Sequence, residues 1–359
     1  MEKKDLDWAN LGFGYMQADY RYVSNYKDGK WDDGELTTDA NIVLNECACV
    51  FQYAQTVFEG LKAYTTEDGH IVCFRPDLNA ARLKDSAKRL EMPVFPEERF
   101  VEAIDELVKA NAAWVPPFGS GATLYIRPYM MGTNSVIGVK PADEYQFRAF
   151  VTPVGPYFKG GAKPLTIRVS DFDRAAPNGT GHIKAGLNYA MSLHAIVDAH
   201  NQGYDENMYL DPGTRTYIEE TGGANFIFIT KEGKFVTPKS DSNLPSIHVV
   251  LLWKLLRNTL DLQLNIDLLN SQSLEILLSV VFAEQQQLFL LLVRLLIMVK
   301  RLYSQAEWKR WDQSLRNYMI HLQEFRWARL KHQKDGFIEF YRCFKSAFLY
   351  ALFFMQFFK

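Results

Sequence analysis

Proline disappears from this chain after Pro245, and glycine nearly so: all 14 prolines and 21 of the 22 glycines precede His248, leaving Gly336 alone in residues 248–359. Folded domains of mixed structure need turns, and these two residues are their main punctuation, so a long stretch almost without either is not expected to continue the architecture before it. Cysteine is scarce too. Cys47, Cys49, Cys73 and Cys343 lack the paired spacing of a zinc site, and the apolar surroundings of the first two predict reduced, buried thiols with no metal. A net charge of −2 excludes a strong general attraction to nucleic acid or an anionic membrane. The first residues, MEKKDLDWANLGFGY, have no apolar run of signal-peptide length, from which a cytoplasmic location is expected.

What is present suits a globular protein. The 359 residues are 48% hydrophobic, enough for a large core and, by length, for two domains. From Asn41 to Tyr64 the chain is β-prone, and a Glu67-Asp68-Gly69 turn leads into a second β-prone run, His70 to Phe74. Helical spacing follows over 79–90 and 97–112, the latter placing Phe100, Ile104 and Leu107 on one face. Further strands are expected over 124–127, 146–153, 164–169, 207–210 and 225–230, with a helix over 188–200. Lys159-Gly160-Gly161-Ala162-Lys163 reads as a flexible connection. The expected organisation is a small domain over 1–158, a linker over 159–163, the first part of a larger domain over 164–247, and a separate hydrophobic tail over 248–359.

Taken singly, the polar residues identify no chemistry. A lysine such as Lys184, or either of Glu219 and Glu220, is ordinarily a solvated surface group, and with 25 Phe and 18 Tyr an aromatic is ordinarily core. Two segments change this. NGTGHIKAGLNYA, around Lys184, and Tyr217-Ile218-Glu219-Glu220-Thr221-Gly222-Gly223-Ala224-Asn225 together resemble the lysine and glutamate segments of the class IV pyridoxal-phosphate-dependent aminotransferases. Phe58-Glu59-Gly60, Tyr125-Ile126-Arg127-Pro128 and Gly155-Pro156-Tyr157-Phe158, in that order, point within that family to the branched-chain-amino-acid aminotransferases. The resemblance covers about two thirds of the chain.

The resemblance implies an α+β, fold-type-IV protein of two domains, like the D-amino-acid aminotransferases, with the larger domain incomplete here. It implies pyridoxal 5′-phosphate as cofactor. Lys184 would form the imine with it and shuttle the substrate α-proton, its pKa lowered by burial and nearby positive charge. Glu220 would pair with the pyridine nitrogen, Tyr189 with the phenolate oxygen, Arg82 with the phosphate, and Gly223 and Ile247 would complete the cofactor site. Tyr53, Phe58, Tyr125, Arg127 and Tyr157 would line the substrate pocket. The implied reaction moves the amino group of L-leucine, L-isoleucine or L-valine to 2-oxoglutarate, in a homodimer whose partners are small amino and 2-oxo acids. Two rivals stay open: an inactive remnant whose leucine-rich tail binds a membrane or a partner helix, and another class IV enzyme acting on D-amino acids or aminodeoxychorismate.

The tail yields to a paper test. Its three readings are a membrane helix, which fits poorly because the apolar run Leu288–Val299 is broken by Arg294 and is shorter than the ~20 residues that span a bilayer, a set of amphipathic helices, and a translation in a displaced frame. Asn243-Leu244-Pro245-Ser246-Ile247 resembles the family's phosphate-binding turn, which continues threonine, arginine, arginine, serine, leucine, methionine. Codons for that continuation, ACA-CGT-CGT-TCT-CTT-ATG-G, lose one A to become CAC-GTC-GTT-CTC-TTA-TGG. These spell His248-Val249-Val250-Leu251-Leu252-Trp253. The reading favoured is a one-base deletion after the Ile247 codon. A later Gly-Thr-Ala-type segment, which in the family adds a hydroxyl to the phosphate cup, is replaced by the tail.

Overall fold

The computed structural model describes residues 2–155, 165–230 and 235–249, together with the backbone of two further strands, 264–267 and 277–283. The expected linker 159–163, Tyr157 and Cys343 lie outside the described residues.

The first half builds one antiparallel sheet. Its strands are β1 (Arg21–Lys27), β2 (Lys30–Trp31), β3 (Glu35–Thr37), β4 (Thr56–Phe58), β5 (Leu61–Thr65), β6 (Ile71–Cys73), β7 (Thr123–Gly132) and β8 (Tyr145–Val154). The main path runs β2-β1-β8-β7-β5-β6, with β3 on β1 and β4 on β7. β7 and β8, ten residues each, pair along their whole length, from Thr123 opposite Val154 to Gly132 opposite Tyr145.

Asn41–Tyr64 is less uniform than its β-prone composition predicts. Cys49–Tyr53 forms a helical turn, α1, closed by Ala54 in the left-handed region at φ 50°. That reversal turns the chain into β4, so tertiary placement overrides local propensity there.

Two helices pack on this sheet. α2 (Pro76–Arg89) starts on a proline at its first position, where the missing N–H costs nothing, and carries basic Lys88 and Arg89 in its last turn. α3 (Glu97–Ala110) has Glu97 and Glu98 at the positive end of its dipole. Phe100, Ile104 and Leu107 are each at most 1% exposed and join Leu83, Leu124, Ile126 and Phe147 in one core. Phe95 stacks on Phe147 with ring centres 3.9 Å apart.

The second half comprises β9 (Ile167–Val169), α4 (Gly186–Asn201), β10 (Glu206–Met208), β11 (Asn225–Thr230), β12 (Phe235–Pro238), β13 (Leu264–Asp267) and β14 (Leu277–Ala283). β9 pairs with β10 in parallel, and a four-stranded sheet runs β13-β12-β11-β14. Two pieces of the tail thus pair with strands that precede it. A second core forms from Met208, Leu210, Ile218, Phe226 and Phe228.

Of the described cysteines only Cys49 is buried; Cys47 and Cys73 are half-buried. Expectation and structure part here because Cys73 lies on β6, the last strand of the sheet path, and Cys47 precedes α1 in a loop.

Candidate active site

α2 organises one wall of the site. Arg82 and Ser86 are four residues apart and so share a face. Ser86 Oγ accepts the backbone N–H of Lys184 at 3.1 Å, while Arg82 is gripped by Glu59, Nε to Oε1 and Nη2 to Oε2, both 2.7 Å. Glu59 is wholly buried and also accepts from Asn79 Nδ2 at 2.8 Å. Burial works against the Arg82 charge, but Glu59 outweighs it and holds the guanidinium above its usual pKa. Arg82 Nη1 donates to the Pro245 carbonyl at 2.9 Å, tying α2 to the turn that leads to Ile247.

Lys184 is fixed by its backbone as well. Its carbonyl accepts the Phe58 N–H at 3.0 Å, and Ala185 bridges Val57, so β4 holds the lysine loop. The Lys184 side chain is half-buried, so the expected burial is partial. Its Nζ donates to the Tyr189 hydroxyl at 2.8 Å and lies 4.9 Å from the Phe58 ring centre. Lysine 184 and tyrosine 189 meet because α4 begins at Gly186 and places Tyr189 in its first turn.

β7 supplies the third wall. Tyr125, Arg127 and Tyr129 alternate along one face of the strand, and Phe150 of β8 sits opposite Arg127. The Arg127 guanidinium donates to the Tyr125 hydroxyl at 2.9 and 3.1 Å and lies 4.6 Å over the Phe58 ring. The result is a cation stacked on an apolar, aromatic wall.

Glu219 and Glu220, indistinguishable as neighbours in sequence, point to different partners. Glu219 accepts from the Ser240 hydroxyl. Glu220 accepts from Asn225 Nδ2 at 2.8 Å, from the Leu244 N–H at 3.1 Å and from Arg174 at 2.7 Å. Burial pushes the Glu220 carboxyl up to about 7 against the opposing pull of Arg174 and the Leu244 N–H.

These walls enclose a cavity of about 590 Å³, within the range of small-molecule sites. Phe58, Arg82, Tyr125, Arg127, Lys184, Tyr189, Gly223 and Ile247 all line it. Glu220 sits behind Asn225 and Leu244, which do. Tyr53 does not reach this cavity; its hydroxyl donates to the Ile137 carbonyl. Phe13, Tyr129 and Phe150 line it without having been expected to, and position 248, expected in the phosphate turn for its backbone N–H, brings an imidazole there. The alternation of β7 could have identified Tyr129. Phe13 is brought in by the N-terminal segment, 5.6 Å from Tyr125 ring to ring, and no local pattern signals that. His248 stacks on Phe74 at 5.9 Å, and burial, with Arg82 and Lys62 near, pushes its imidazole down to about 3. Among the described residues no group of three or more His, Cys, Asp or Glu could hold a metal ion.

The donor set fits a phosphorylated pyridoxal: a primary amine, a phenol, a guanidinium beside a backbone turn, and a buried carboxylate held by three donors.

The family model for amino-transferase class IV matches residues 56–276. A branched-chain-amino-acid aminotransferase of Haemophilus influenzae is 54% identical over 249 residues, which cover 68% of this chain and 73% of the relative. Among solved structures, the branched-chain amino acid aminotransferase of Escherichia coli superposes with a TM-score of 0.64 at 27% identity, over 75% of this chain and 84% of that one. The branched-chain amino acid aminotransferase of Thermobaculum terrenum in its PLP form superposes with a TM-score of 0.62 at 22% identity, over 75% and 83%.

Proposed function

This chain belongs to the class IV aminotransferases, in their branched-chain-amino-acid group and with their fold-type-IV α+β architecture, and from that premise we propose that its cavity holds pyridoxal 5′-phosphate and transfers the amino group of L-leucine, L-isoleucine or L-valine to 2-oxoglutarate. The observation that carries the reading is the Lys184 amine, 2.8 Å from the Tyr189 hydroxyl, inside a cavity that also presents Arg82 and backs onto Glu220.

When bound, the cofactor supplies an aldehyde for the amino nitrogen and an electron-poor ring that accepts the electron pair released as the Cα–H bond breaks. The protein's residues do the rest. Lys184 Nζ, once free as the neutral amine, takes the substrate α-proton and returns it; arginine could not, since it holds its proton too tightly. Tyr189 orients that amine. Arg82 and the Ser246–His248 turn receive the phosphate, and Glu220, charged, favours a protonated pyridine nitrogen. Gly223 and Ile247 close around the cofactor. Phe58 and Tyr125 give a branched aliphatic side chain an apolar wall, and Tyr157 is assigned to the same pocket. Arg127, a cation within that wall, offers the second carboxylate of 2-oxoglutarate a partner that leucine does not need. Tyr53 is assigned to substrate binding by the resemblance alone, since its hydroxyl is turned to the Ile137 carbonyl.

The organisation proposed with this function is a small domain over 1–158, a linker over 159–163 and a larger domain from 164, in a cytoplasmic homodimer. Among the described residues no helix is long and apolar enough to cross a membrane. The residues from His248 onward are proposed to arise from a reading frame displaced by one base, on the six-codon match after Ile247.

The test is the absorbance spectrum of purified protein with pyridoxal phosphate, beside Lys184→Ala. A borohydride-reducible imine band, lost in Lys184→Ala, together with consumption of leucine and 2-oxoglutarate, is the expected result. Folded protein that shows neither would overturn the reading.

A further inference from the structure

The second half of the site is knotted around one arginine that neither motif contains. Arg174 is 7% exposed, and its Nη2 lies 2.7 Å from Glu220 Oε1, 2.6 Å from the Ser242 carbonyl and 2.9 Å from the Gly181 carbonyl. Two N–H bonds are shared among three oxygens from three separate segments: the strand-like run ending at Glu220, the turn after β12, and the loop three residues before Lys184. The approach is close enough that Gly181 has no room for a side chain; a Cβ there would lie 2.2 Å from Ser242 Oγ and 2.9 Å from Arg174 Nη2. Arg174 Nε is buried without a hydrogen-bond partner among the described residues, so these three oxygens on Nη2 orient the guanidinium.

We propose that Arg174 is the positioning residue of this site, favouring the charged form of Glu220 and aiming its carboxylate while tying it to the loop that carries Lys184. The physical case is one of isolation. Glu220 is 4% exposed and has the carboxylate of Glu219 as its neighbour in sequence, and both circumstances favour a proton on it. Against them stand Arg174, the Leu244 N–H, the Asn225 amide and, at longer range, Lys184. Of these, Arg174 alone is a cation in contact with the carboxylate. Without it the Glu220 carboxyl holds its proton more tightly, and a neutral carboxyl gives a protonated ring nitrogen no counter-charge. Arg174 does not touch substrate; it acts through Glu220. The inference rests on the reading of Glu220 as the partner of the cofactor ring.

The test compares the full chain with Arg174→Gln, Arg174→Lys, Glu220→Gln and the double variant Arg174→Gln/Glu220→Gln. The first readout is the thermal midpoint against pH without cofactor. A carboxyl whose folded pKa is raised stabilises the fold below its unfolded pKa, and that contribution is lost as pH rises through the folded value. For Glu220 the window is from 4.5 to about 7, seen as the difference from Glu220→Gln. In Arg174→Gln, measured against the double variant, the window's upper edge should move up by roughly one to three pH units, and in Arg174→Lys by less. The second readout is turnover of leucine with 2-oxoglutarate. Arg174→Gln should lower kcat at pH 7 by about fivefold for the first unit of that movement and about tenfold for each further unit, with KM for leucine little changed, and should add almost nothing in the Glu220→Gln background. An unmoved pH window, or losses from the two substitutions that multiply independently, would overturn the proposal. If Arg174→Gln does not fold, Arg174→Lys with its Glu220→Gln partner decides on the same readouts. If Glu220→Gln alone leaves kcat unchanged, the role of Glu220 fails, while the pH window still reports whether Arg174 controls its charge.

Discussion

Arg82, proposed to meet the phosphate, is oriented by a carboxylate. Glu59, wholly buried, takes two of its N–H bonds and leaves Nη1 to the Pro245 carbonyl, so direction is settled before any ligand arrives. Removing one partner of such a pair leaves an uncompensated buried charge. Glu59→Ala should therefore cost about 3–5 kcal/mol in denaturant unfolding. Inorganic phosphate should restore more stability to Glu59→Ala than to the unaltered protein, because the anion takes over the carboxylate's role; equal restoration in both would contradict this. His248 carries the opposite lesson, a base in the same cup kept neutral by burial. Its folded pKa, about 3, is depressed from 6.5, so its contribution is present above pH 6.5 and lost as pH falls toward 3. His248→Thr should remove an acid-side loss on the order of 4 kcal/mol, seen as a flatter melting curve between pH 6 and 3.5.

At the scale of elements, the pocket is closed by a segment with almost no secondary structure. The N-terminal stretch is pinned by the Gly155 N–H on the Gly12 carbonyl at 3.0 Å and the Met16 N–H on Thr152 Oγ1 at 2.8 Å, and this places Phe13 against Tyr125. Gly155 is required for it: a Cβ there would lie 1.8 Å from the Leu11 carbonyl oxygen. Gly155→Ala should cost roughly 1–3 kcal/mol, as overpacking does, and raise KM for leucine more than it lowers kcat as Phe13 leaves the wall. Melting and steady-state kinetics check both. The helices were the most legible elements, since α2, α3 and α4 each stand within a few residues of the expected span. The strand-prone reading of 41–64 was less successful, because a left-handed Ala54 and a helical turn break it where the chain must reach β4 beside Lys184.

At the scale of the whole molecule, the four-stranded sheet of the second half takes two of its strands from within 248–283. Its core as described is five residues, against the 27 of the first cluster. A gene with one A inserted after the codon for Ile247 should express a protein that melts higher and binds pyridoxal phosphate more tightly than this chain, measured by thermal unfolding and cofactor titration. No gain in either would count against the displaced frame.

By itself the sequence supplied the candidate residues: Lys184, Tyr189, Glu220 and Arg82 lie in local segments whose residue order is distinctive, and the helices declare themselves by the 3.6-residue period. It also showed the change of composition after residue 247, where turn residues stop. Only the tertiary structure decided which side chains stand around them. Glu219 and Glu220 differ in surroundings because one faces Ser240 and the other Asn225, Leu244 and Arg174. Phe13, Phe150 and Arg174 enter the site across long sequence separations, and Tyr53 turns away from it. Periodicity and motif report only on neighbours in the chain, whereas contact among distant segments is set by how sheets and helices pack.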